Sequence, residues 1–274
     1  MAGFHVFAGA TKTIARPAVR TIEIADVLDA LRRGFDDFWE KPSHYVFLCL
    51  IFPVIGAALI IWTTGGNALQ LIFPLMSGFA LLGPLAALGL YEISRRREQQ
   101  LDTSWIHALE VKDSPAIPAI VAVGILLMVL FLAWLYTAQA LYGWLYGPVP
   151  PESLTAFAYD IFTTQRGWTL LILGNAIGLV FALIVLSTTV VAFPLLLDRD
   201  VGARAAIQTS ARAVLANPVP MMAWGLIVAI ALLIASLPLL VGLIVVIPIL
   251  GHSTWHLYRK VVEPPRRKKR PSSQ

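Results

Sequence analysis

The sequence predicts an all-α polytopic membrane protein: six transmembrane helices in three degenerate units, each an amphipathic helix followed by a helical hairpin. Three observations carry that expectation. Of 274 residues, 58% are hydrophobic and 14% charged, against roughly half and one quarter in a soluble domain. The stretches 42–91, 114–151, 167–197 and 213–258 hold no charged residue. At about 20 residues per crossing, they accommodate two, one, one and two spans. Lys and Arg counted over successive loops run 6, 0, 4, 1, 3, 0, 7, an alternation that makes the rich loops and both termini cytoplasmic. This composition excludes a disordered chain, an ordinary nucleic-acid-binding domain and most soluble enzymes. Long unbroken apolar runs exclude an outer-membrane barrel.

The elements follow in chain order. Residues 1–21 are expected to form a cytoplasmic tail. Met1–Ala10 has no cation ahead of its short apolar stretch, so no secretory signal is expected and span 1 serves as the insertion signal. Residues 22–40 have helical period: Ile24, Val27, Leu28, Leu31, Phe35, Phe38 and Trp39 fall on one face. Glu23, Asp26, Asp29, Arg32, Arg33, Asp36 and Asp37 fall on the other. That is an in-plane amphipathic helix, packed on the cytoplasmic ends of the bundle or serving as a membrane sensor or partner-docking helix.

Spans 1 and 2 are expected at 45–62 and 68–91, turning at Thr63-Thr64-Gly65-Gly66-Asn67. Span 3 follows at 116–142. The outer loop 143–167 contains Pro148, Pro150 and Pro151, then a short helix from Ser153, flanked by Trp144, Tyr146 and Trp168 as an aromatic belt. Spans 4, 5 and 6 are expected at 168–197, 219–236 and 239–258, the last two separated near Ser236-Leu237-Pro238. The membrane domain covers 22–262. In the tail 263–274, Arg266-Arg267-Lys268-Lys269-Arg270 reads as a juxtamembrane anchor on anionic lipid rather than a nucleic-acid contact. Partners are therefore the bilayer, and a larger inner-membrane complex or a second copy of the chain.

A repeat accompanies the hairpins. Cytoplasmic approaches lead to Pro42, Pro115 and Pro218, and the returning spans carry Pro84, Pro194 and Pro248 in their inner halves. A helix proline frees the carbonyl four residues back, here those of Ala80, Val190 and Ile244. In lipid that group needs a partner, and Ser77, Ser187 and Thr189 stand near. Spans 2, 4 and 6 are expected to turn their kinks toward a shared centre open to the cytoplasm, with spans 1, 3 and 5 facing lipid.

Phe193-Pro-Leu-Leu-Leu-Asp-Arg-Asp-Val-Gly, followed by Ala205, Ser210, Ala213, Asn217, Pro218 and Trp224, resembles the bacterial integral membrane family called domain of unknown function 2189. Gly34-Phe35-Asp36-Asp37-Phe38 to Tyr45, and Gly83-Pro84-Leu85 through Gly89-Leu90-Tyr91, are similar to the same family, so the resemblance runs over about 25–262. It implies a bacterial inner-membrane location and no activity. Some relatives carry a loose cytochrome c oxidase label.

That label finds little support in the residues. Of five histidines, His5 lies in the tail and His107 in a cytoplasmic loop. His252 and His256 share one helix face at i,i+4, with His44 at the same membrane edge. These three are the weak metal candidates, and the His252–His256 pair has no carboxylate or Cys nearby in sequence. No haem or metal cofactor is expected. Cys49, the one cysteine, permits no disulfide within the chain and reads as a buried apolar residue.

No phosphate loop, nucleophile elbow or zinc-protease helix occurs, and no enzymatic activity is expected. Gly174 and Gly178, in GxxxG spacing, read as a close helix contact. The span interiors hold no carboxylate, Lys or Arg, only polar residues such as Asn175, Ser187, Thr188, Thr189, Gln139 and Ser77. Asn175 should bond a neighbouring helix. Asp198, Arg199 and Asp200 should organise the end of span 4 with Ser210 and Asn217, as structure or as a binding site. Asp and Arg adjacent on a helix do not face each other, so each should pair elsewhere. Function reads as a non-enzymatic accessory, assembly or envelope-homeostasis factor. The alternatives are a carrier or channel for a neutral or amphiphilic solute, and a haem- or metal-associated respiratory-chain protein.

Overall fold

The computed structural model describes residues 17–40, 49–65 and 68–264. His5, Pro42, His44, Tyr45, the Gly66-Asn67 turn and the Arg266–Arg270 run lie outside the described residues. The described chain is helical. Its only sheet-like pairing among those residues is an antiparallel bridge between Val19 and Val262.

Helix α1 spans Ile24–Glu40. Helix α2, Ile51–Gly65, belongs to predicted span 1. Predicted span 2 is not one helix. A 3₁₀ turn at Leu69–Leu71 leads to α3 (Ile72–Leu81), α4 (Gly83–Ala86) and α5 (Leu88–Glu98). Pro84 causes the break, since its ring clashes with the turn before it and it donates no hydrogen bond. Helix α6 runs Ile117–Tyr146 and a surface helix α7 runs Leu154–Thr163. Ser153 caps α7, its hydroxyl oxygen accepting the Ala156 N–H at 3.1 Å. Predicted span 4 divides into α8 (Gln165–Thr189) and α9 (Ala192–Asp198), interrupted four residues before Pro194. Then come α10 (Ala203–Ala216), α11 (Pro218–Ser236) and α12 (Leu243–Val261). The sixth predicted span therefore starts four residues late. Leu239 and Leu240 take φ of 51° and 66° in a tight turn instead.

Ile117–Tyr146, Gln165–Asp198 and Pro218–Ser236 are the three described stretches long and apolar enough to cross a membrane. Ile51–Gly65 and Leu69–Leu81 are shorter apolar segments.

Three inner segments, α5, α9 and α12, pack against one another. Each follows the proline break of its own span or contains the proline. Leu90, Ile93, Phe193, Leu195, Leu196 and Trp255 fill the space between them and are buried. The shared centre is thus packed with side chains rather than open. Span 4 also departs from the expectation that it faces inward throughout. Only 6% of its most apolar stretch is buried, against 28% in α6, so α8 is largely exposed on the outside of the bundle while α9 is core.

The approach segments pack in a regular order. Residues 105–113, a 3₁₀ segment rather than the expected helix, lie on α5; α10 lies on α8 and α9; α1 lies along α12. Residues 105–113 and α10 each cover helices that precede them in the chain, and α1 covers α12. Gly34 makes the α1–α12 contact possible. A β-carbon there would overlap the Ser253 hydroxyl and stand 2.7 Å from the Ile249 carbonyl oxygen.

The broad apolar face of α1 splits in two. Val27, Ala30 and Phe38 are buried, whereas Ile24, Leu28, Phe35 and Trp39 are exposed. Asp37, assigned by period to the polar face, is buried as well.

Candidate functional site

The polar residues of the bundle gather where α1, α5, α9 and α12 meet, at the Arg-rich end. Arg95, Arg96 and Arg97 are consecutive at the end of α5 and fan out about 100° apart, as a helix dictates. Arg95 returns to Glu92 through two 2.8 Å bonds. Arg96 donates to the Asp102 carbonyl and to Glu110, both at 2.7 Å. Arg97 reaches α1, where it pairs with Asp37 at 3.0 Å and with Glu40. Three neighbouring side chains thereby tie one helix end to itself, to the 102–110 loop and to α1.

Asp37 is the first hub. His256 Nε2 lies 2.9 Å from its Oδ2, and Ser94 Oγ lies 3.4 Å from the same atom. Ser94 Oγ also sits 2.6 Å from His252 Nδ1. Burial pushes the Asp37 carboxyl up, but the hydrogen bond from His256 and the positive groups around it outweigh burial and hold it below its usual value.

Asp198 is the second hub. It accepts from Tyr258 Oη at 2.6 Å, from both Nη atoms of Arg259 at 2.9 and 3.0 Å, and from Arg199 Nε at 3.1 Å. Arg259 also donates to Glu98 at 2.8 Å, and its guanidinium lies over the Trp255 ring at 4.8 Å. Burial draws the Arg259 proton affinity down, while Asp198 and Glu98 raise it further than burial lowers it. Farther along, Lys260 bonds Asp26 at 3.0 Å and Asp29 at 2.9 Å.

The expected residues take varied places. Asp198 and Arg199 do pair with each other, against the expectation for helix neighbours. Arg199 has left the helix in an extended conformation, φ −150° and ψ 132°, which turns its side chain back. Its Nη2 donates to the Glu263 carbonyl at 2.5 Å. Asp200 is exposed.

Ser210 and Asn217 do not join Asp198. Ser210 Oγ accepts the Val191 N–H at 3.2 Å, a donor released where α8 breaks. Asn217 Oδ1 accepts from Ile22 N at 2.7 Å, and its Nδ2 donates to the Arg20 carbonyl at 3.0 Å. It thereby moors the segment ahead of α1.

Most of the polar residues expected in the span interiors bond within their own helices. Asn175 donates to Leu171 O, Ser187 to Leu183 O, Thr188 to Ile184 O and Thr189 to Val185 O, at 2.6–2.8 Å. Ser77 donates to Phe73 O at 2.8 Å. None serves the carbonyls of Ala80, Val190 or Ile244. A short polar side chain reaches the carbonyl one turn back more easily than one ahead. Gln139 receives a 3.3 Å bond from Gln70. Gly178 lets Trp134 approach to 3.2 Å of a notional β-carbon, whereas Gly174 has room.

Ser94, His252 and Asp37 are the residue types of a hydrolase triad, in a different arrangement. A triad carboxylate orients the histidine while the opposite ring nitrogen faces the nucleophile. Here Asp37 contacts the serine and the other histidine. Ser94 and His252 are buried, at 2% and 0% exposed. His252 meets Ser94 and His256 meets Asp37, and no group of three His, Cys, Asp or Glu suited to a metal occurs among the described residues. What the cluster does chemically is hold buried charge in balance across four elements.

Sequence reasoning missed Asp37, Ser94, Glu98, Tyr258 and Arg259 as participants. The available signal was the density of polar residues in 92–98 and 252–260, two inner span ends facing the same centre.

Residues 72–198 match a family model described as predicted integral membrane protein (DUF2189). That stretch includes Gly83-Pro84-Leu85, Gly89-Leu90-Tyr91 and Phe193 through Asp198, the residues carrying the resemblance. It ends before Ser210 and Asn217 and begins after Gly34–Phe38. No curated protein and no solved structure matches the chain.

Proposed function

From the premise of an integral membrane protein, we propose that this chain is a non-enzymatic accessory, assembly or envelope-homeostasis factor of the bacterial inner membrane. In this reading it crosses the bilayer six times in three approach-plus-hairpin units, with both termini cytoplasmic. The cyclic order of packing, each approach on the preceding returning span, supports the three units. The pairing of residues 18–20 with 261–263 supports placing both chain ends on one side.

The observation that carries the functional reading is the state of the Arg-rich end. Its buried carboxylates are matched by cations, Glu92 by Arg95 of its own helix and Asp37 by Arg97 and His256 of other elements, which builds a rigid frame. Beside that frame α1 presents the apolar stripe Ile24, Leu28, Phe35 and Trp39, with Phe35 and Trp39 stacked at 5.8 Å. A fixed platform edged by an unsatisfied apolar stripe suits docking of another membrane protein or a second copy.

The test is native electrophoresis of mildly solubilised membranes. The wild-type chain should migrate in an assembly larger than its own micelle. Leu28→Glu with Trp39→Glu should release it while leaving the helical circular dichroism unchanged. Migration of the wild type as a lone chain overturns the reading.

A further inference from the structure

At the end of the bundle remote from Arg95–Arg97 lies a cavity of about 260 Å³ between the start of α3, the end of α6, the surface helix α7 and the start of α8. We infer that this cavity binds one acyl chain of a bilayer lipid whose headgroup carries a hydrogen-bond donor. The inference goes beyond the accessory reading and does not rest on it.

The shape sets the chain. Lining residues on α6 run from Trp134 to Tyr142, eight steps along the helix, or roughly 12 Å at the helical rise. One hydrocarbon leaflet is about 15 Å deep. The walls are mostly apolar, Ala138, Phe157, Ile161 and Ile177 among them, and the polar Thr137 and Asn175 donate to the Ala133 and Leu171 carbonyls of their own helices. The volume lies just under the range of sites that enclose a whole drug-sized molecule, which suits one chain better than an entire solute.

Polarity gives the direction. At the deep end, Trp134 has its indole N–H committed to the Pro74 carbonyl at 2.8 Å, so it offers the cavity only its ring. At the other end Gln70 reaches Gln139 through Nε2, while its Oε1 is buried without a hydrogen-bond partner. A buried acceptor left unpaired is destabilising, and a donor on the ligand removes that cost. Tail toward Trp134 and donor toward Gln70 is the orientation of a lipid entering beside α7.

The ammonium of phosphatidylethanolamine and the hydroxyls of phosphatidylglycerol provide that donor. The quaternary ammonium of phosphatidylcholine does not. The proposed entry is lateral, past α7, a ten-residue helix on the outside of the bundle with Leu154, Tyr159 and Phe162 exposed.

Purified protein is reconstituted in vesicles of phosphatidylethanolamine and phosphatidylglycerol. They contain a trace of phosphatidylethanolamine carrying a diazirine midway along one acyl chain. After illumination, adducts should concentrate on peptides containing Trp134, Ala138 and Ile177. They should exceed those at the exposed Val121 and Ile125 of the same helix by roughly tenfold.

Gly174→Leu should abolish that excess. The nearest atom to a β-carbon there is Leu141 Cδ2 at 3.9 Å, so the new side chain enters the cavity without forcing the backbone. Ala158→Trp on α7 fills the same space from outside the bundle and should act alike, with melting and circular dichroism as controls on folding. The matching phosphatidylcholine probe should label the cavity less, and Gln70→Leu should remove the difference. Labelling spread evenly along α6, or unchanged by both fillers in folded protein, overturns the site. Equal labelling by the two lipids overturns the donor requirement.

Discussion

Arg259 grips both carboxylate oxygens of Asp198, with Nη1–Oδ2 at 2.9 Å and Nη2–Oδ1 at 3.0 Å. The pair joins two inner span ends 61 residues apart in the chain. Bidentate geometry fixes orientation as well as distance. Both partners are largely withdrawn from solvent, at 24% and 11% side-chain exposure.

Removing one partner leaves the other charged and half buried. Asp198→Ala should destabilise the protein by roughly 3 kcal/mol, read as a lower midpoint of thermal unfolding in detergent. The double variant Asp198→Ala with Arg259→Met should lose less than the two single losses added together. Strict additivity would show that the pair is not coupled.

Gly34→Ala should separate α1 from α12. The added methyl meets a hydroxyl and main-chain atoms rather than the end of a flexible side chain, so relief requires the helices to move apart. Overpacking of this kind costs about 1–3 kcal/mol. Tryptic cleavage at the exposed Arg32 and Arg33 should accelerate several-fold. An unchanged cleavage rate would mean that the two helices do not cross so closely.

The 102–110 loop should loosen with rising pH. His107 sits 2.5 Å from Glu110 and 2.9 Å from Asp102. The hydrogen bond to Glu110, then that to Asp102, raises its pKa above 6.5. A raised native value means the folded loop binds the proton more tightly than the unfolded one. The contribution is therefore complete below pH 6.5 and is lost as pH climbs through the elevated value. Hydrogen exchange of the 101–113 peptides, corrected for intrinsic rates, should rise across that window in the wild type and stay flat in His107→Ala.

Leu239 holds φ 51° and is 89% exposed, so its side chain gains little from burial while its backbone is strained. Leu239→Gly should raise the midpoint of unfolding, by about 1 kcal/mol in stability. Leu240, at φ 66° but only 5% exposed, should behave oppositely, because glycine there removes a core side chain. A lower midpoint for Leu239→Gly would refute strain at the turn.

Local rules carried the ends of elements well. Pro115 with Pro218, and the charges beyond them, place α6 and α11 within a few residues of their observed bounds. The break at Val190 follows from Pro194 four residues later. What local rules could not supply is the identity of partners. Asp36 and Asp37 look alike along α1, and only the presence of α12 makes one buried and leaves the other exposed. Ser210 and Asn217 have the chemistry of backbone partners, yet the amides they serve belong to Val191 and Ile22, chosen by tertiary packing. Polar residues in mid-span misled for a related reason. Asn175 needed no second helix because its own backbone offered an acceptor.

The seat of α1 on α12 imposes an order on biosynthesis. The Ser253 hydroxyl and the Leu31 carbonyl, 3.4 Å apart, are separated by 222 residues. At 5–20 residues per second, the first helix leaves the ribosome roughly 10–45 s before its partner exists. Throughout that interval Asp37 lacks its histidine and Val27, Ala30 and Phe38 lack their cover. A nascent chain stalled before residue 243 should therefore expose α1 to proteases and chaperones, and release of the stall should withdraw it. The last helix made acts as the clasp for the first.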